Sequence, residues 1–405
     1  MKILVIAIFL LMAVFSFFLK YLTYSRRNDP LPENVKDVYD EETYKKNQAY
    51  KMDNLKFSII TGLIGIVITL CFLLFNFHHK LFDLITQQTS NFYLVSLFIF
   101  FVPLLIEGVI GKIMNIYDTF VIEKQYGFNK TTPKTFILDI IKQLAILLTV
   151  GGGLLMLFLF LYNQIGNWMF VAFFFILIIF QLFAAFISPL LIRIFYKLTP
   201  LENGELKDRV VAMAEETGFR IKGIYSVDAS RRSTKLNAFA TGFGKSKTIG
   251  LFDTLIEKMS TDEIIAVLAH EIGHAKKRHI LKRVPFSLLM IGIVLAAAYF
   301  IITMPETSQA FGFTDVNLAF GIFIMAILIS PLMVLFSIPS NVLSRKHEYE
   351  ADSFAKEYGG QEATVTALKK LYQENLGNLT PHPFVVMVEY SHPPLSQRIA
   401  SINNN

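Results

Sequence analysis

Residues 260–290, STDEIIAVLAHEIGHAKKRHILKRVPFSLLM, join a metal-binding pattern to the start of a long apolar run. Ser260 is a predicted N-cap, and Glu263 follows three residues later, which is the spacing of a capping box. Asp262 and Glu263 also favour the positive end of a helix. The pattern therefore predicts a helix that begins after Ser260 and continues through His274.

Within that helix, HEIGH places His270 and His274 on one face, with Glu271 beside them. At 100° per residue, the two imidazoles lie about 40° apart around the helix axis. Two histidines at this spacing are typical zinc ligands, and the adjacent carboxylate can take a proton from metal-activated water. The alternative is a polar helix face at the membrane surface.

His279 is a third histidine close by, but its position argues against a role as ligand. Nine residues from His270, it falls about 180° around a straight helix and is predicted to face away. We assign it to a solvated basic collar that can meet anionic lipid headgroups. The other members of this collar are Lys276, Lys277, Arg278, Lys282 and Arg283.

A second helical stretch, SRKHEYEADSFAKEYG (344–359), offers the missing third ligand. Glu348 and Asp352 are four residues apart and share a helix face, so one carboxylate can bind zinc while the other orients a histidine ligand. On a charged helix such a pair is otherwise a solvated face. His347 is a competing donor, rotated about 100° from Glu348, and spacing does not exclude it.

The stretch YSHPPLSQRIA (390–400) contributes one more candidate. His392 precedes two prolines, which suit a turn into a helix that carries Arg398. A zinc peptidase needs a donor for the developing oxyanion, and His392 can supply it. The alternative is an ordinary surface histidine.

The composition around these motifs is that of a membrane protein. Of 405 residues, 53% are hydrophobic and only 17% are charged. A spanning helix needs roughly 20 apolar residues. We predict a polytopic α-helical membrane protein with seven spans, near 3–19, 57–77, 92–111, 143–162, 168–196, 284–303 and 318–340.

Several function classes are disfavoured by simple counts. The only cysteine, Cys71, can form no internal disulfide. The net charge of +6 is weak evidence for nucleic acid, so we expect no nucleic-acid partner and use the charges to orient loops. The first apolar run lacks a small-residue cleavage site, so a retained anchor is favoured over a signal peptide.

Lysine and arginine accumulate on the cytoplasmic side of a membrane, and here they alternate between loops. Loops 20–56 and 112–142 are rich in them, whereas YNQIGNW (162–168) and MPETSQAFGFTDVN (304–317) have none. We therefore place the N-terminus outside and the catalytic domain and C-terminus in the cytosol.

The chain is predicted to divide into four domains. They are 1–196 (spans one to five), 197–283 (the HEIGH protease domain), 284–340 (spans six and seven) and 341–405 (completing the zinc site).

The insert 197–283 has the pattern of a small α+β domain. GELKDRVVAMAEETGF has helical spacing, while IKGIYSVDAS, LNAFATGFG and KTIGLFD are typical of short strands. We expect a zincin-like metalloprotease domain that caps the membrane helices.

With these residues in view, the chain resembles the integral-membrane zinc CAAX prenyl protease family, the type I enzymes that process farnesylated pheromone precursors and prelamin. The likeness covers nearly the whole chain. Besides HEIGH, it includes YKKNQAYKMDNLKF (44–57), FVIEKQYGFNKTT (120–132), PLENGELK (200–207), RRSTKLNAFATGF (231–243), HEYEAD (347–352) and SHPPLSQRI (391–399).

The resemblance implies seven helices around a water-filled intramembrane chamber, capped on the cytosolic side by the zinc domain. It implies one Zn²⁺ per chain, and it gives each matching residue a role. In those roles zinc is bound by His270, His274 and Glu348, and Glu271 is the general base. Asp352 supports a zinc ligand, while His392 stabilises the tetrahedral intermediate with support from Arg398. An edge strand at Asn237 and Ala238 binds the peptide backbone.

Two departures from the family pattern stand out. The family reads close to RSSHSNAYFYGF, whereas here Lys235 and Leu236 precede Asn237, so side-chain selection is open. The tail SINNN lacks the basic retrieval signal of some members. An endoplasmic reticulum address therefore does not follow from the tail. We expect the cell membrane if the protein is prokaryotic and the endoplasmic reticulum membrane if it is eukaryotic.

The sequence favours a zinc metalloendopeptidase that cleaves C-terminal peptides of prenylated CAAX proteins beside the lipid bilayer. A hydrophobic chamber suits a lipid-modified substrate, since each buried CH₂ contributes about 0.8 kcal/mol. Two alternatives remain open: a quality-control protease for unfolded or translocation-stalled chains, and a metal-binding transporter or receptor. Glu107 and Gln181 within the spans suit either a transport pathway or a wet chamber wall.

Overall fold

The computed structural model describes residues 1–241 and 247–404, without the side chains at positions 185, 186, 188 and 189. The described chain is mainly helical. Its helices are α1 (Lys2–Ser25), α2 (Glu41–Leu74), α3 (Phe77–Thr86), α4 (Phe92–Tyr117), α5 (Glu123–Gln125), α6 (Pro133–Ile146), α7 (Gly152–Ile165), α8 (Met169–Phe195), α9 (Glu205–Glu216), α10 (Asp253–Lys258), α11 (Thr261–Lys276), α12 (His279–Thr303), α13 (Pro305–Gln309), α14 (Leu318–Leu328), α15 (Ser330–Gly359), α16 (Gln361–Glu374), α17 (Pro383–Glu389) and α18 (Leu395–Asn404).

The apolar helices make this a polytopic helical membrane protein, as predicted. Within the described residues, five helical segments are long and apolar enough to cross a membrane, and the bent pair α14 and α15 raises the count to six. The predicted count of seven is not confirmed, because spans 143–162 and 168–196 fall largely in one 52-residue segment, Pro133–Ala184. A short 3₁₀ turn, Gly166–Trp168, joins the two helices of that segment directly.

The N-terminal polar region is more helical than the predicted loop 20–56. Asp40 caps α2 by accepting a 2.7 Å hydrogen bond from the Thr43 backbone N–H, so the helix starts well before the apolar run. Asn47 on this extension is buried and donates to the Leu376 carbonyl at 2.8 Å. The polar half of α2 therefore packs against the C-terminal part of the chain.

The last apolar run, predicted as one span over 318–340, is bent by 52° between α14 and α15. Pro331 lacks the N–H that would bond to the Ile327 carbonyl four residues earlier. Ser330 Oγ donates to that carbonyl instead, at 2.7 Å. After the bend, α15 runs without interruption from Ser330 to Gly359, so one helix connects the apolar region to the EYEAD motif.

The predicted α+β domain is confirmed by a four-stranded sheet in the order β1-β2-β4-β3. Strand β3 pairs only with β4 among the described strands, antiparallel, with Ala238 opposite Leu251. β1 pairs with β2 antiparallel, and β2 pairs with β4 parallel. The strands are β1 (Leu198–Pro200), β2 (Ile221–Val227), β3 (Ala238–Thr241) and β4 (Lys247–Phe252). The Gly242 to Gly244 end of the predicted strand LNAFATGFG lies outside the described residues.

Helix α11 forms as its cap predicts. Ser260 Oγ accepts from the Glu263 N–H at 3.3 Å, and Glu263 Oε2 accepts from the Ser260 N–H at 2.8 Å. The apolar face of the helix enters the domain core, where Leu268 and Ile272 are fully buried with strand residue Leu251. The predicted helix through His270 and His274 is therefore confirmed.

Close packing of α11 on α15 brings the two motif helices together. A Cβ on Gly273 would lie 3.0 Å from Phe354 Cβ and 3.3 Å from Ala351 Cα, so a larger residue would crowd α15 and force it to shift by a few tenths of an ångström. At the far end of α15, a Cβ on Gly359 would lie 2.6 Å from Ala266 Cα. The glycine of HEIGH is thus a packing requirement, and it sets the distance between the two ligand-bearing faces.

A cavity of about 800 Å³ lies among the apolar helices. Its walls come from α1, α2, α4, α14 and α15 and are mostly apolar, with Lys20 and Glu107 among the polar exceptions. Gln181 lines a different cavity of about 630 Å³ and accepts a 2.9 Å hydrogen bond from Ser287.

Candidate active site

Three predicted ligand side chains meet between α11 and α15. His270 Nε2 and His274 Nε2 lie 3.1 Å apart. Glu348 places Oε2 3.4 Å from His270 Nε2 and Oε1 3.3 Å from His274 Nε2. One donor atom from each of the three residues lies within 4.8 Å of the others. Two imidazole nitrogens and a carboxylate oxygen therefore surround a common point.

The donor set fits a divalent metal such as zinc. Glu348 is 4% exposed, and among the described residues its Oε2 makes long contacts, to His270 Nε2 at 3.4 Å and to Arg398 Nη2 at 3.9 Å. A buried carboxylate oxygen with such weak partners is costly, and a bound cation would remove that cost. Two histidines and a glutamate are a known catalytic zinc set, in which the fourth position stays open for water or substrate.

Carboxylates govern the protonation of His270. Burial lowers the pKa of this imidazole, but hydrogen bonds to Asp352 and Glu348 outweigh burial and raise the pKa to about 9. Without a metal the ring therefore carries a second proton at neutral pH. A metal ion has to displace that proton, because only a deprotonated ring nitrogen can bind it.

Asp352 and Arg398 hold the other side of the His270 ring. Asp352 Oδ1 lies 2.9 Å from His270 Nδ1, and the carboxylate is 1% exposed. Arg398 donates to it from Nε at 2.8 Å and from Nη2 at 2.5 Å. With Nδ1 engaged by Asp352, His270 presents Nε2 to the cluster.

Glu271 lines a small cavity beside the cluster, about 140 Å³ in volume. Burial raises the pKa of this carboxyl, although the neighbouring imidazoles of His270 and His274 oppose that rise. A carboxylate in this environment is a stronger base than a solvated one. The same cavity is lined by His392, Arg398, Asn237 and Ala238, so the predicted catalytic and peptide-binding residues share one space.

His392 approaches the cluster from the turn before α18. Its Nε2 lies 3.4 Å from Glu348 Oε1, and its side chain is 60% exposed. Ser391 Oγ lies 3.0 Å from His392 Nδ1. When the hydroxyl donates to Nδ1, the proton of the neutral ring sits on Nε2, where it can be donated toward the cavity.

The edge strand β3 forms one wall of the same cavity. Asn237 is exposed just before the strand, and Ala238 is buried within it. Asn375 clamps the preceding residue: its Oδ1 accepts from the Leu236 N–H at 2.8 Å, and its Nδ2 donates to the Leu236 carbonyl at 3.1 Å. No local sequence pattern singles out Asn375, because its contact partner Leu236 lies 139 residues away in the chain.

Comparison with known families explains the arrangement. The model of Peptidase family M48 matches residues 200–405. The chain belongs to peptidase family M48. A second family model, CAAX prenyl protease N-terminal with five membrane helices, matches residues 20–197 of this M48 protein.

Relatives match the M48 chain over almost its full length. CAAX prenyl protease 1 of Saccharomyces cerevisiae is 32% identical, over 96% of this chain and 93% of the yeast protein. The CAAX prenyl protease 1 homolog of Homo sapiens is 30% identical, over 92% and 88% respectively. The crystal structure of S. mikatae Ste24p gives a TM-score of 0.94 at 31% identity and covers 99% of both chains. The chain is thus a membrane metalloprotease of the CAAX prenyl protease type.

Our prediction for His279 was wrong. It does not face away in a solvated collar but is 3% exposed, with Nδ1 2.9 Å from His274 Nδ1. The prediction assumed a straight helix, whereas α11 ends at Lys276 and Arg278 adopts a left-handed conformation (φ 57°). The chain turns there, and His279 starts α12 beside the motif.

His347, the competing donor, lies outside the three-residue cluster. Its ring stacks on His279, with ring centroids 4.1 Å apart and planes 5° apart. Sequence reasoning also missed Glu350, whose Oε2 lies 3.1 Å from His279 Nε2. The i, i+4 rule drew attention to Glu348 and Asp352 on one helix face and left out Glu350 on another.

Proposed function

We propose that this M48 protein binds one Zn²⁺ through His270, His274 and Glu348 and uses it to hydrolyse peptide bonds. The observation that supports this is the meeting of three donor atoms within 4.8 Å, beside a small cavity that Glu271 lines. Bound zinc supplies Lewis acidity, which polarises the scissile carbonyl and acidifies water.

The chain's own residues divide the remaining work. Glu271 takes a proton from the attacking water and returns it to the leaving amine. His392 donates from Nε2 to the oxygen that gains charge at the scissile carbonyl. Asp352, held by Arg398, fixes the ring of His270 and keeps its Nε2 aimed at the cluster.

The peptide substrate adds a strand along the side of β3 that does not pair with β4. The cavity beside β3 holds Asn237, Ala238 and Glu271 together, so a peptide paired with this edge passes the general base. We assign Asn237 and Ala238 to binding the peptide backbone. Main-chain pairing of this kind accepts many side chains, and selection then depends on the pockets that flank the strand.

We infer that the substrate is a protein prenylated at a C-terminal CAAX sequence. Two observations support it: the names of the yeast and human relatives, and the apolar cavity of about 800 Å³ among the spanning helices. We assign this cavity to the intramembrane chamber, with Glu107 as part of its hydrated lining. An isoprenoid buried there gains about 0.8 kcal/mol per CH₂ group.

The topology that we propose has seven spans, with α7 and α8 crossing separately. A continuous 52-residue helix would be about 78 Å long, far beyond the roughly 30 Å of a bilayer core. Gly166 has a positive φ of 56°, and Phe158 on α7 contacts Phe170 and Phe173 on α8, as in a helical hairpin. With seven spans and these loop charges, we propose that the N-terminus lies outside and the active site in the cytosol.

The four predicted domains, 1–196, 197–283, 284–340 and 341–405, are kept in this proposal. The membrane is the endoplasmic reticulum in a eukaryote and the cell membrane in a prokaryote. The bilayer is a partner in the reaction, since it delivers a lipid-modified substrate to the cytosolic face.

A paired peptide assay tests the substrate. Purified protein is given a farnesylated CAAX peptide and its unprenylated twin, each with and without a chelator. We expect chelator-sensitive cleavage that prefers the farnesylated peptide. Equal cleavage of both peptides would overturn prenyl specificity and favour a general quality-control protease, and cleavage that survives metal removal would overturn the zinc mechanism.

A further inference from the structure

The ring of His274 has a buried partner that the proposed catalytic set does not use. His274 Nε2 faces the metal cluster, 3.3 Å from Glu348 Oε1. Its other nitrogen, Nδ1, lies 2.9 Å from Nδ1 of His279, and His279 Nε2 lies 3.1 Å from Glu350 Oε2. The side chains of His274, His279 and Glu350 therefore form a continuous line of hydrogen-bonding contacts that extends away from the cluster.

The positions of the protons in this line follow from the metal. If His274 Nε2 binds a cation, the proton of the neutral ring must be on Nδ1. His274 Nδ1 then donates to His279 Nδ1, which accepts and has no proton of its own. The His279 proton sits on Nε2 and is donated to the Glu350 carboxylate. Each contact has one donor and one acceptor, so the line is consistent from end to end.

The surroundings fix the ring of His279 in this orientation. His347 stacks on it at 4.1 Å, in nearly parallel planes. Arg278, in the left-handed conformation, turns the chain so that His279 begins α12 against the motif helix. Lys282 donates to the same Glu350 oxygen at 3.2 Å, which holds the carboxylate in place.

We propose that His279 and Glu350 are positioning residues for the metal site, which set the tautomer and orientation of His274. The inference rests on the proposed zinc centre and deepens it. The two histidine ligands then have separate supports: Asp352 with Arg398 behind His270, and His279 with Glu350 behind His274. Loss of such a support weakens metal binding by roughly 10- to 100-fold.

Two pairs of variants in the full-length protein test the hydrogen-bond line. His279→Leu removes the acceptor while filling the space, whereas His279→Asn places a side-chain oxygen where Nδ1 was. Glu350→Leu removes the final acceptor, and Glu350→Gln keeps one. The zinc dissociation constant is measured by competition with a chelator, and the cobalt-substituted protein gives a visible spectrum of the site.

We expect His279→Leu and Glu350→Leu to weaken zinc binding by roughly 10- to 100-fold and to alter the cobalt spectrum. The Asn and Gln variants are expected to stay within about threefold of the parent protein, well short of the loss from removing a support. Thermal unfolding of the metal-free forms is compared in parallel. If His279→Leu does not fold, the Glu350 pair, at a partly exposed position, still decides the question.

Unchanged zinc affinity and cobalt spectrum in both leucine variants would overturn the proposal. The proposal would also be overturned if the Asn or Gln variant bound zinc as weakly as the leucine variant at the same position. Hydrogen bonding would then not be the cause of the weaker zinc binding. Failure of the zinc centre itself is distinguishable: the parent protein would then bind no zinc, which would remove the proposed function and this inference together.

Discussion

Arg398 donates two hydrogen bonds to Asp352, from Nε at 2.8 Å and from Nη2 at 2.5 Å, and both side chains are almost completely buried. The pair joins α18 to α15 directly behind the His270 ring. Removing one member of a buried ion pair leaves the other charge without compensation, which costs about 3 to 5 kcal/mol.

In the metal-free protein the protonated His270 ring still pairs with Asp352, so we expect Arg398→Met to lower the free energy of unfolding by less than this, by about 1 to 3 kcal/mol. Arg398→Lys keeps the charge but cannot form the paired contact, so its free energy of unfolding should fall by less than that of Arg398→Met. Thermal unfolding in detergent measures both. An unfolding midpoint that does not move in Arg398→Met would show that the pair contributes nothing to stability.

Glu348 is expected to decide whether the protein holds metal. Glu348→Ala removes the carboxylate from the cluster, and we predict that the purified variant contains little or no zinc by elemental analysis. Glu357→Ala is the control, because Glu357 is an exposed carboxylate on the same helix, outside the cluster, and its loss should leave the metal content near that of the parent. Full zinc content in Glu348→Ala would point to another third ligand.

Much of the site could be predicted from the sequence because its signals are local. The capping box fixes the start of α11, and the spacing of HEIGH puts His270 and His274 on one face. The same i, i+4 rule paired Glu348 with Asp352, and the structure places both against the histidines.

Other features depend on a single backbone conformation or on distant parts of the chain. The position of His279 follows from the left-handed Arg278, which no periodicity reveals. The hydrogen bonds of Asn375 to Leu236 depend on a tertiary contact between residues 139 positions apart in the chain. The sequence separates spans 143–162 and 168–196, but in the structure a turn of only three residues joins α7 and α8, so the count of seven stays a prediction.

His392 is expected to act in the chemical step rather than in metal binding. Removing one oxyanion donor typically lowers kcat by roughly 10²- to 10³-fold, and we predict a loss of that order for His392→Ala, with zinc content unchanged. Ser391→Ala should lower kcat less, since it removes only the hydrogen bond between Ser391 Oγ and His392 Nδ1. Steady-state kinetics on the farnesylated peptide measure both, and a normal kcat in His392→Ala would exclude this role.

Asn375 is expected to act on substrate binding through the edge strand. Asn375→Ala removes two hydrogen bonds to Leu236, each contributing about 0.5 to 1.5 kcal/mol. Together they amount to about 1 to 3 kcal/mol, so KM should rise by roughly 5- to 150-fold while kcat changes little. Asn375→Asp keeps the acceptor for the Leu236 N–H, so its KM should lie between those of the parent and Asn375→Ala. A KM equal to that of the parent would show that β3 does not need the clamp.

The central claim is that Glu271 is the general base of a zinc peptidase. Glu271→Gln keeps the size of the side chain but removes its basicity, and it tests the claim most directly. We predict one zinc ion per chain, as in the parent, and a fall of roughly 10²- to 10⁴-fold in kcat on the farnesylated peptide. Full activity in zinc-loaded Glu271→Gln would contradict the account.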